Sequence, residues 1–405
     1  MSLPASFQRL AWSNLAAQSA EQMSLAAAPI LAVLTLGAGA AETGMLTAAQ
    51  SLPFLLLSLP AGVLADRMRR KQLMVMAELL RAAALLALPV LLWLGVLSLP
   101  MLALIGALTA TGTVVFSVAA PALVPTLVPR ELLAAANTRL ELARSLAFAA
   151  GPSAAGVLVV AIGGGAAFVI AALLSLAAVW FIAAIREDAR PPGAARHVVA
   201  ELIEGMAFVR TQPLLMTIMA TAAVWSVSYF VLQSIYVLYA VQRLGLDGGA
   251  VGLTLGAYGA GMLVAALASP LILQHMPIGR FIVCGPVGSV IGVATILLSR
   301  FVPGIFMPLL GFFLFGIGPL MWSIGQTTLR QALTPTALLG RVSALFMVVS
   351  FGARPIGAAI GGLIGTKIGL DAAMLVAGLG FVAQAAIVLF SPMPALRALP
   401  RHNAN

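Results

Sequence analysis

The stretch Gly62-Val-Leu-Ala-Asp66-Arg67-Met-Arg69-Arg70-Lys71 sets a carboxylate and four basic residues into a chain that is otherwise overwhelmingly apolar. Of 405 residues, 61% are hydrophobic and 8% charged, and the mean hydropathy is +1.08; a soluble domain carries roughly 25% charged residues. Such a chain belongs in a bilayer. Apolar runs of the roughly 20 residues that a helix needs to cross about 30 Å of hydrocarbon recur along it, whereas a β-barrel would show alternating segments of about ten. The fold class is therefore an all-α polytopic membrane protein with twelve transmembrane helices, at about 10–36, 42–64, 72–95, 99–122, 134–161, 165–185, 213–241, 248–274, 279–299, 302–328, 336–365 and 369–391. The first of these carries Asn14, Gln18, Glu21 and Gln22 and is longer than a signal core, so it is expected to stay attached. The single Cys284 excludes a disulfide framework and suits packing within its helix.

The connections between these helices are unequally charged. With the N-terminus inside, sixteen of the 22 Lys and Arg residues, among them Arg67, Arg69, Arg70 and Lys71, fall on the inner side, and only Arg243, Arg300 and Lys367 fall outside. The positive-inside rule then puts both termini in the cytoplasm, in a bacterial-type inner membrane, and the net charge of +10 reports topology rather than nucleic-acid binding. The longest polar connection divides the chain into an N-terminal six-helix bundle (1–185), a cytoplasmic linker with a short interfacial helix (186–212) and a C-terminal bundle with a short tail (213–405). Within the linker Val199, Leu202, Ile203 and Met206 recur at helical spacing opposite Glu201 and Glu204. His197 has no second His or Cys near it and reads as an interfacial residue rather than a metal ligand. The halves also echo one another: 127–158 enters the fifth helix much as 333–364 enters the eleventh, from an X-Pro turn through Leu-Leu to a Pro-containing, small-residue helix. Two repeats related by an axis along the membrane normal place a substrate site near the midplane between them.

Asp66 is not explained by topology, to which acidic residues contribute little. The spacing around it resembles the signature loop of the major facilitator superfamily, Gly-x-x-x-Asp-(Arg/Lys)-x-Gly-(Arg/Lys)-(Arg/Lys), with Gly62, Asp66, Arg67, Arg70 and Lys71 in matching positions and Arg69 where the family has glycine. The resemblance implies a gating loop that holds one state by docking Asp66 near the start of the eleventh helix, around Arg341. Phe116 to Asn137, with Pro121, Pro125 and Pro129 and an expected Arg130–Glu131 ion pair, resembles the exporter branch that includes macrolide-efflux proteins and the enterobactin exporter.

Charges at membrane depth cost roughly 2.5–3.5 kcal/mol each on insertion scales, so each needs a reason. Glu21 lies about halfway along the first helix with Asn14 and Gln18 on much the same face. Burial disfavours the charged form of a carboxylate, which makes Glu21 the candidate proton-coupling residue. An acidic residue in the first helix is also common in the drug-exporting branch this chain resembles. Glu78 and Arg81 stand at i,i+3 in the third helix and read as a structural pair, with a coupling role as the alternative. Glu141 and Arg144 in the fifth helix precede Gly151, Pro152 and Gly156, which resemble the family's antiporter motif, a kinked small-residue helix packed on the other half. Arg144 is a candidate partner for Glu21, Glu78 or an anionic substrate, and Arg354 in the eleventh helix is a second arginine for the cavity. The fourth helix lacks the arginine that many drug/proton antiporters carry there. Trp225, Tyr229, Gln233 and Tyr236 in the seventh helix and Gln326 in the tenth are candidate substrate-binding residues for a mostly apolar ligand.

No clustered His, Cys or carboxylate set suggests a metal site, and no phosphate loop suggests a nucleotide, so neither an enzyme nor a cofactor is expected. The expected partners are a small-molecule substrate, protons and the bilayer, with a monomer sufficient. The sequence therefore reads as a secondary transporter exporting an amphipathic drug-like compound or siderophore by proton antiport. The alternatives are an uptake symporter or facilitator, or a non-transporting sensor.

Overall fold

The computed structural model describes residues 3–129, 132–185, 198–335 and 338–398. The helices in chain order are α1 (Ala5–Leu34), α2 (Ala40–Arg67), α3 (Arg70–Trp93), α4 (Leu99–Leu127), α5 (Leu133–Ala161), α6 (Ala166–Ala183), α7 (Val198–Thr211), α8 (Pro213–Leu244), α9 (Gly248–His275), α10 (Ile278–Leu298), α11 (Phe306–Leu333), α12 (Leu339–Lys367) and α13 (Leu370–Leu389), with a 3-10 turn at Met393–Ala395. Eleven are long and apolar enough to cross a membrane. The long α1, diluted by Gln18, Glu21 and Gln22, packs along α5 and α6 and completes the set of twelve. The seventh to twelfth spans are thus α8 to α13. Arg130 and Glu131, expected as an ion pair, and His197 with the rest of 186–197, lie outside the described residues.

Local chemistry sets the helix ends, and in places moves them from the expected positions. α1 begins at Ala5 rather than 10, because Pro4 supplies a fixed φ of −57° ahead of the first turn. α4 runs past 122 to Leu127 and stops where Val128, the residue before Pro129, is forced extended (φ −132°, ψ 145°). α11 starts at Phe306 rather than 302 because Gly304 takes φ +108°, which breaks any earlier helix. Between α8 and α9, Gly245 adopts φ 66° and Asp247 accepts a 2.7 Å hydrogen bond from the Ala250 amide, a left-handed stop followed by an N-cap. At the signature loop Met68 and Arg69 are both extended, Arg69 at φ −63° and ψ 122°, so this turn does not need glycine's left-handed freedom.

The two halves are copies in their packing. Contacts of α1 with α5 and α6, of α2 with α4, and of α3 with α4 and α6 recur as contacts of α8 with α12 and α13, of α9 with α11, and of α10 with α11 and α13. The expected echo between the fifth and eleventh spans is visible even in the caps: Leu132 (φ −99°, ψ −2°) and Leu338 (φ −100°, ψ −9°) precede helices of 29 residues each. The halves meet chiefly along two seams, α5 on α9 and α2 on α12, which the same pseudo-two-fold exchanges. α7 lies against α12 and α8, with Val209 buried and Leu202 and Met206 on the second half's core.

The seams close by backbone approach. A Cβ on Gly44 would sit 2.6 Å from the Gly362 Cα, and one on Gly252 would sit 2.6 Å from the Pro152 carbonyl oxygen. Hydrocarbon offers no hydrophobic force between helices, so small residues that let main chains touch are what hold such contacts. These positions lie at the end of the bundle away from the basic loop at 67–71. There a single apolar core is shared by both halves, from Leu31 and Phe168 to Tyr236 and Phe312. Toward the basic end the core divides: one part around Phe7, Leu123 and Ile182 belongs to the first half, and one around Phe281, Leu329 and Phe346 to the second.

Gly156→Val tests the seam. A Cβ at this position already lies 2.8 Å from the Gly252 Cα, and overpacking of this kind costs about 1–3 kcal/mol. The variant is expected to insert with unchanged helical circular dichroism, while a cysteine replacing the buried Val251, in a Cys284→Ser background, becomes reactive to an impermeant maleimide from the far face. Unchanged labelling would mean that this contact does not seal that end.

Candidate functional site

Between the halves lies a cavity of about 430 Å³, within the size range of small-molecule sites. Its two walls differ in chemistry. The first half contributes a polar face: Gln18, Glu21 and Gln22 from α1, Gln50 from α2, and Thr113 and Ser117 from α4. The second half contributes an aromatic face, led by Trp225, Tyr229 and Tyr236 from α8 and Phe351 from α12, with Gln233 and Arg354 set into it.

On α1 the i,i+3 spacing turns Gln18 and Glu21 to the cavity together, as the helical period requires. Asn14 is not with them; it is buried against α5, where its amide nitrogen lies 3.5 Å from the Leu140 carbonyl oxygen. The Glu21 carboxylate has no ion-pair or hydrogen-bond partner among the described residues. Gln326 also lies off the cavity, donating to the Thr327 hydroxyl at 2.9 Å.

The three intramembrane arginines are accommodated in three ways. Arg81 and Glu78 form a 2.9 Å ion pair that is 1% and 0% exposed. Arg81 also donates to the Ala17 carbonyl at 3.0 Å and to the hydroxyl of the cavity-lining Thr113 at 2.8 Å, tying α3 to α1 and α4 directly behind the cavity wall. Arg144 lines the cavity and is held by its own helix: Nε donates to both Glu141 carboxylate oxygens at 3.1 Å and Nη2 to one of them at 2.6 Å. Its partner is therefore Glu141 rather than Glu21 or Glu78. Arg354 has no ion-paired carboxylate among the described residues. Its Cζ lies 4.3, 4.6 and 5.3 Å from the ring centroids of Phe351, Phe54 and Phe230, contacts worth about 0.5–2 kcal/mol each.

Along α8, Trp225 and Tyr229 stack with centroids 4.9 Å apart and planes 8° apart, and Tyr229 continues onto Phe315 at 6.0 Å and 3°. Tyr236 donates to the Thr254 hydroxyl at 2.6 Å. The indole nitrogen of Trp225 and the amide oxygen of Gln233 are buried without a partner.

Gly151 of the helix-five motif seats against α1, where a Cβ would fall 2.6 Å from that of Gln22, and α5 runs through Pro152 as one helix. At the signature loop, Gly62 has open space beside it and Arg70 is buried. Lys71 donates at 2.7 Å to the carbonyls of Ala183 and Ile185, and Arg9 donates to that of Ala184 at 2.6 Å, so two cations converge on the C-terminal end of α6, where the helix dipole favours them. The side chains of Asp66 and Arg67 lie outside the described residues. Arg341, expected beside Asp66, is ion-paired with Glu204 of α7. Among the described residues no three His, Cys or acidic side chains converge as metal ligands would.

Sequence reasoning passed over Gln50, an amide in an apolar helix whose cost was a usable signal. It also passed over Phe54, Phe230 and Phe351, which carry no sign in the sequence of surrounding an arginine.

A family model described as Transmembrane secretion effector, within the major facilitator group, matches residues 6–405. The chain belongs to that family. Multidrug efflux pump Tap of Mycolicibacterium fortuitum is 26% identical over 384 residues, covering 91% of this chain and 90% of its own. Macrolide efflux protein A of Streptococcus pyogenes is 24% identical over 342 residues, 81% of each chain. Enterobactin exporter EntS of Citrobacter koseri is 26% identical over 194 residues, 47% of this chain and 45% of its own. Among solved structures, peptide transporter POT in complex with sulfate superposes with a TM-score of 0.78 at 14% identity over 95% of this chain and 93% of that one. A bacterial homologue of the iron transporter ferroportin in its inward-facing state gives 0.72 at 18% identity over 96% and 99%. The chain is thus a membrane transporter of the efflux type with the major facilitator fold, and not an enzyme.

The Glu78–Arg81 pair is open to a stability test. Arg81→Ala leaves a buried carboxylate unpaired and is expected to cost about 3–5 kcal/mol, read as loss of folded protein after detergent extraction. Glu78→Gln with Arg81→Met removes both charges and should recover most of that loss. Equal losses in the single and double variants would show that the pair does more than neutralise itself.

Proposed function

We propose that this efflux-type transporter exports an amphipathic small molecule from the cytoplasm by exchange with protons, through alternating access of its two six-helix bundles. The observation that carries the reading is Glu21: a carboxylate on the cavity wall with no ion-pair partner among the described residues, opposite an aromatic face suited to the apolar body of a ligand. A carboxylate in that position accepts a proton when the cavity opens to one side and releases it when the cavity opens to the other, while substrate moves on the opposite leg.

The basic loops, by the positive-inside rule, face the cytoplasm, and with them both termini, in a bacterial inner membrane. The shared core and the glycine seams then lie at the outer end, and the divided cores at the inner end, which is the arrangement of an inward-open state. The half-exposed side chains of Glu141 and Arg144, at 43% and 36%, fit a cavity wetted from the cytoplasmic side. Each chain encloses a whole cavity, so a monomer is sufficient for transport. The names of the relatives, a multidrug pump, a macrolide-efflux protein and a siderophore exporter, support outward movement of bulky amphipathic compounds.

Purified protein in liposomes with an imposed pH gradient tests the proposal, using a lipophilic cation, a neutral macrolide and a catecholate siderophore. Gradient-driven accumulation of at least one of them is expected in the wild type. Glu21→Gln should lose the gradient response and keep downhill movement. Equal wild-type rates with and without the gradient would leave a facilitator and remove proton exchange.

A further inference from the structure

Three arginines sit inside the membrane, and their donor groups are used very differently. A guanidinium offers five N–H donors in its plane. Arg81 places Nη1 on Glu78 and Ala17 and Nη2 on Thr113, with its buried Nε left over, and Arg144 places its fork on Glu141. Arg354, among the described residues, donates no hydrogen bond and has no ion pair, although it lines the central cavity. Its neighbours are three phenylalanine rings, 4.3, 4.6 and 5.3 Å from Cζ to centroid, which attract the cation and offer its N–H groups no lone-pair acceptor. A planar fork with free donors, facing a cavity and flanked by aromatic rings, is the arrangement that recognises a carboxylate or another oxyanion by paired charge-assisted hydrogen bonds.

We propose that Arg354 is the docking point for an acidic group on an aromatic substrate, whose ring system lies along Trp225 and Tyr229 of α8. This rests on the transporter reading for what becomes of the ligand but not for how it binds. The acid binds on the half opposite Glu21, across a cavity small enough for the charges of Glu21 and Arg354 to act on one another, so a bound anion and the protonation of Glu21 are electrostatically linked. The cage also spans the seam: Phe54 comes from α2, while Phe230 and Phe351 come from α8 and α12. It is complete only while α2 and α12 are packed together, which ties anion binding to the conformational state. The unpartnered indole nitrogen of Trp225 adds a neutral donor to the same wall. Arg144, an equal candidate from the sequence, is not assigned this role because Glu141 already occupies its fork.

The test uses two fluorescent probes with one ring skeleton, 1-anilinonaphthalene-8-sulfonate, which carries an oxyanion, and N-phenyl-1-naphthylamine, which does not. Binding to the full chain in lipid nanodiscs is followed by energy transfer from tryptophan, with empty nanodiscs as background. In Arg354→Gln the sulfonate is expected to bind about tenfold or more weakly, the scale of losing a charged hydrogen-bonded pair, and the neutral probe within about twofold of wild type. Arg354→Lys, which keeps the charge but not the fork, should fall between. Retained binding of the neutral probe certifies that each variant is folded. An unchanged sulfonate affinity in Arg354→Gln, or an equal loss for both probes, would overturn the assignment. Neither readout involves a proton gradient or Glu21, so failure of proton-driven export and failure of the Arg354 site are separable results.

Discussion

The structure depends on one constraint: in hydrocarbon, two helix bundles can hold together only where their main chains come close enough to touch. Lipid tails are as apolar as leucine, so burying leucine between the halves gains nothing. What remains is close packing, and it is found where Gly44 meets Gly362 and where Gly252 meets Pro152 and Gly156. Both seams use small residues, both join a helix of one half to a helix of the other, and the pseudo-two-fold exchanges them. The cavity exists because these seams occupy only the outer edges of the interface, leaving its middle to side chains.

Symmetry of the backbone does not extend to the cavity. Helices that correspond under the repeat supply amides, hydroxyls and a carboxylate from the first half and stacked aromatic rings from the second. A small molecule between them meets a hydrogen-bonding wall on one side and an apolar wall on the other, which suits an amphipathic ligand. Among the arginines the same logic holds. Each carries a desolvation cost that grows with its burial, met by a fully buried carboxylate at Arg81, a half-exposed one at Arg144 and three aromatic faces at Arg354. Of the three, only Arg354 makes no hydrogen bond or ion pair among the described residues.

The linker helix has a place in this arrangement as well. α7 packs by its Leu202, Met206 and Val209 face on the second half, and Gly205 lies against the main chain of Arg341 while Glu204 holds that arginine's side chain. The start of α12 is thereby tied to the connection between halves.

Much of this was legible before any coordinates. Hydropathy marks eleven of the spans and their rough extent, because every backbone polar group in lipid must be satisfied within a helix, while the polar-diluted α1 stands out by its length rather than its hydropathy. The repeat between the fifth and eleventh spans, the signature loop, the sidedness of the basic residues and the six intramembrane charged residues (Glu21, Glu78, Arg81, Glu141, Arg144 and Arg354) are all properties of the chain read in order. The i,i+3 pairings of Glu78 with Arg81 and of Glu141 with Arg144 are local, and helical geometry brings them into reach. What the sequence left open is which face of each helix meets which neighbour. Asn14 shares a stripe with Gln18 and Glu21 yet packs on α5, because the wall of the cavity ends within one turn of it. Gln326 is polar and membrane-embedded yet faces away from the cavity. Phe54 and Arg354, far apart in the chain, meet because α2 and α12 form a seam. Periodicity determines the angle of a side chain about its own axis; the neighbour at that angle is set by the packing of all twelve helices together, and only the tertiary structure decides it.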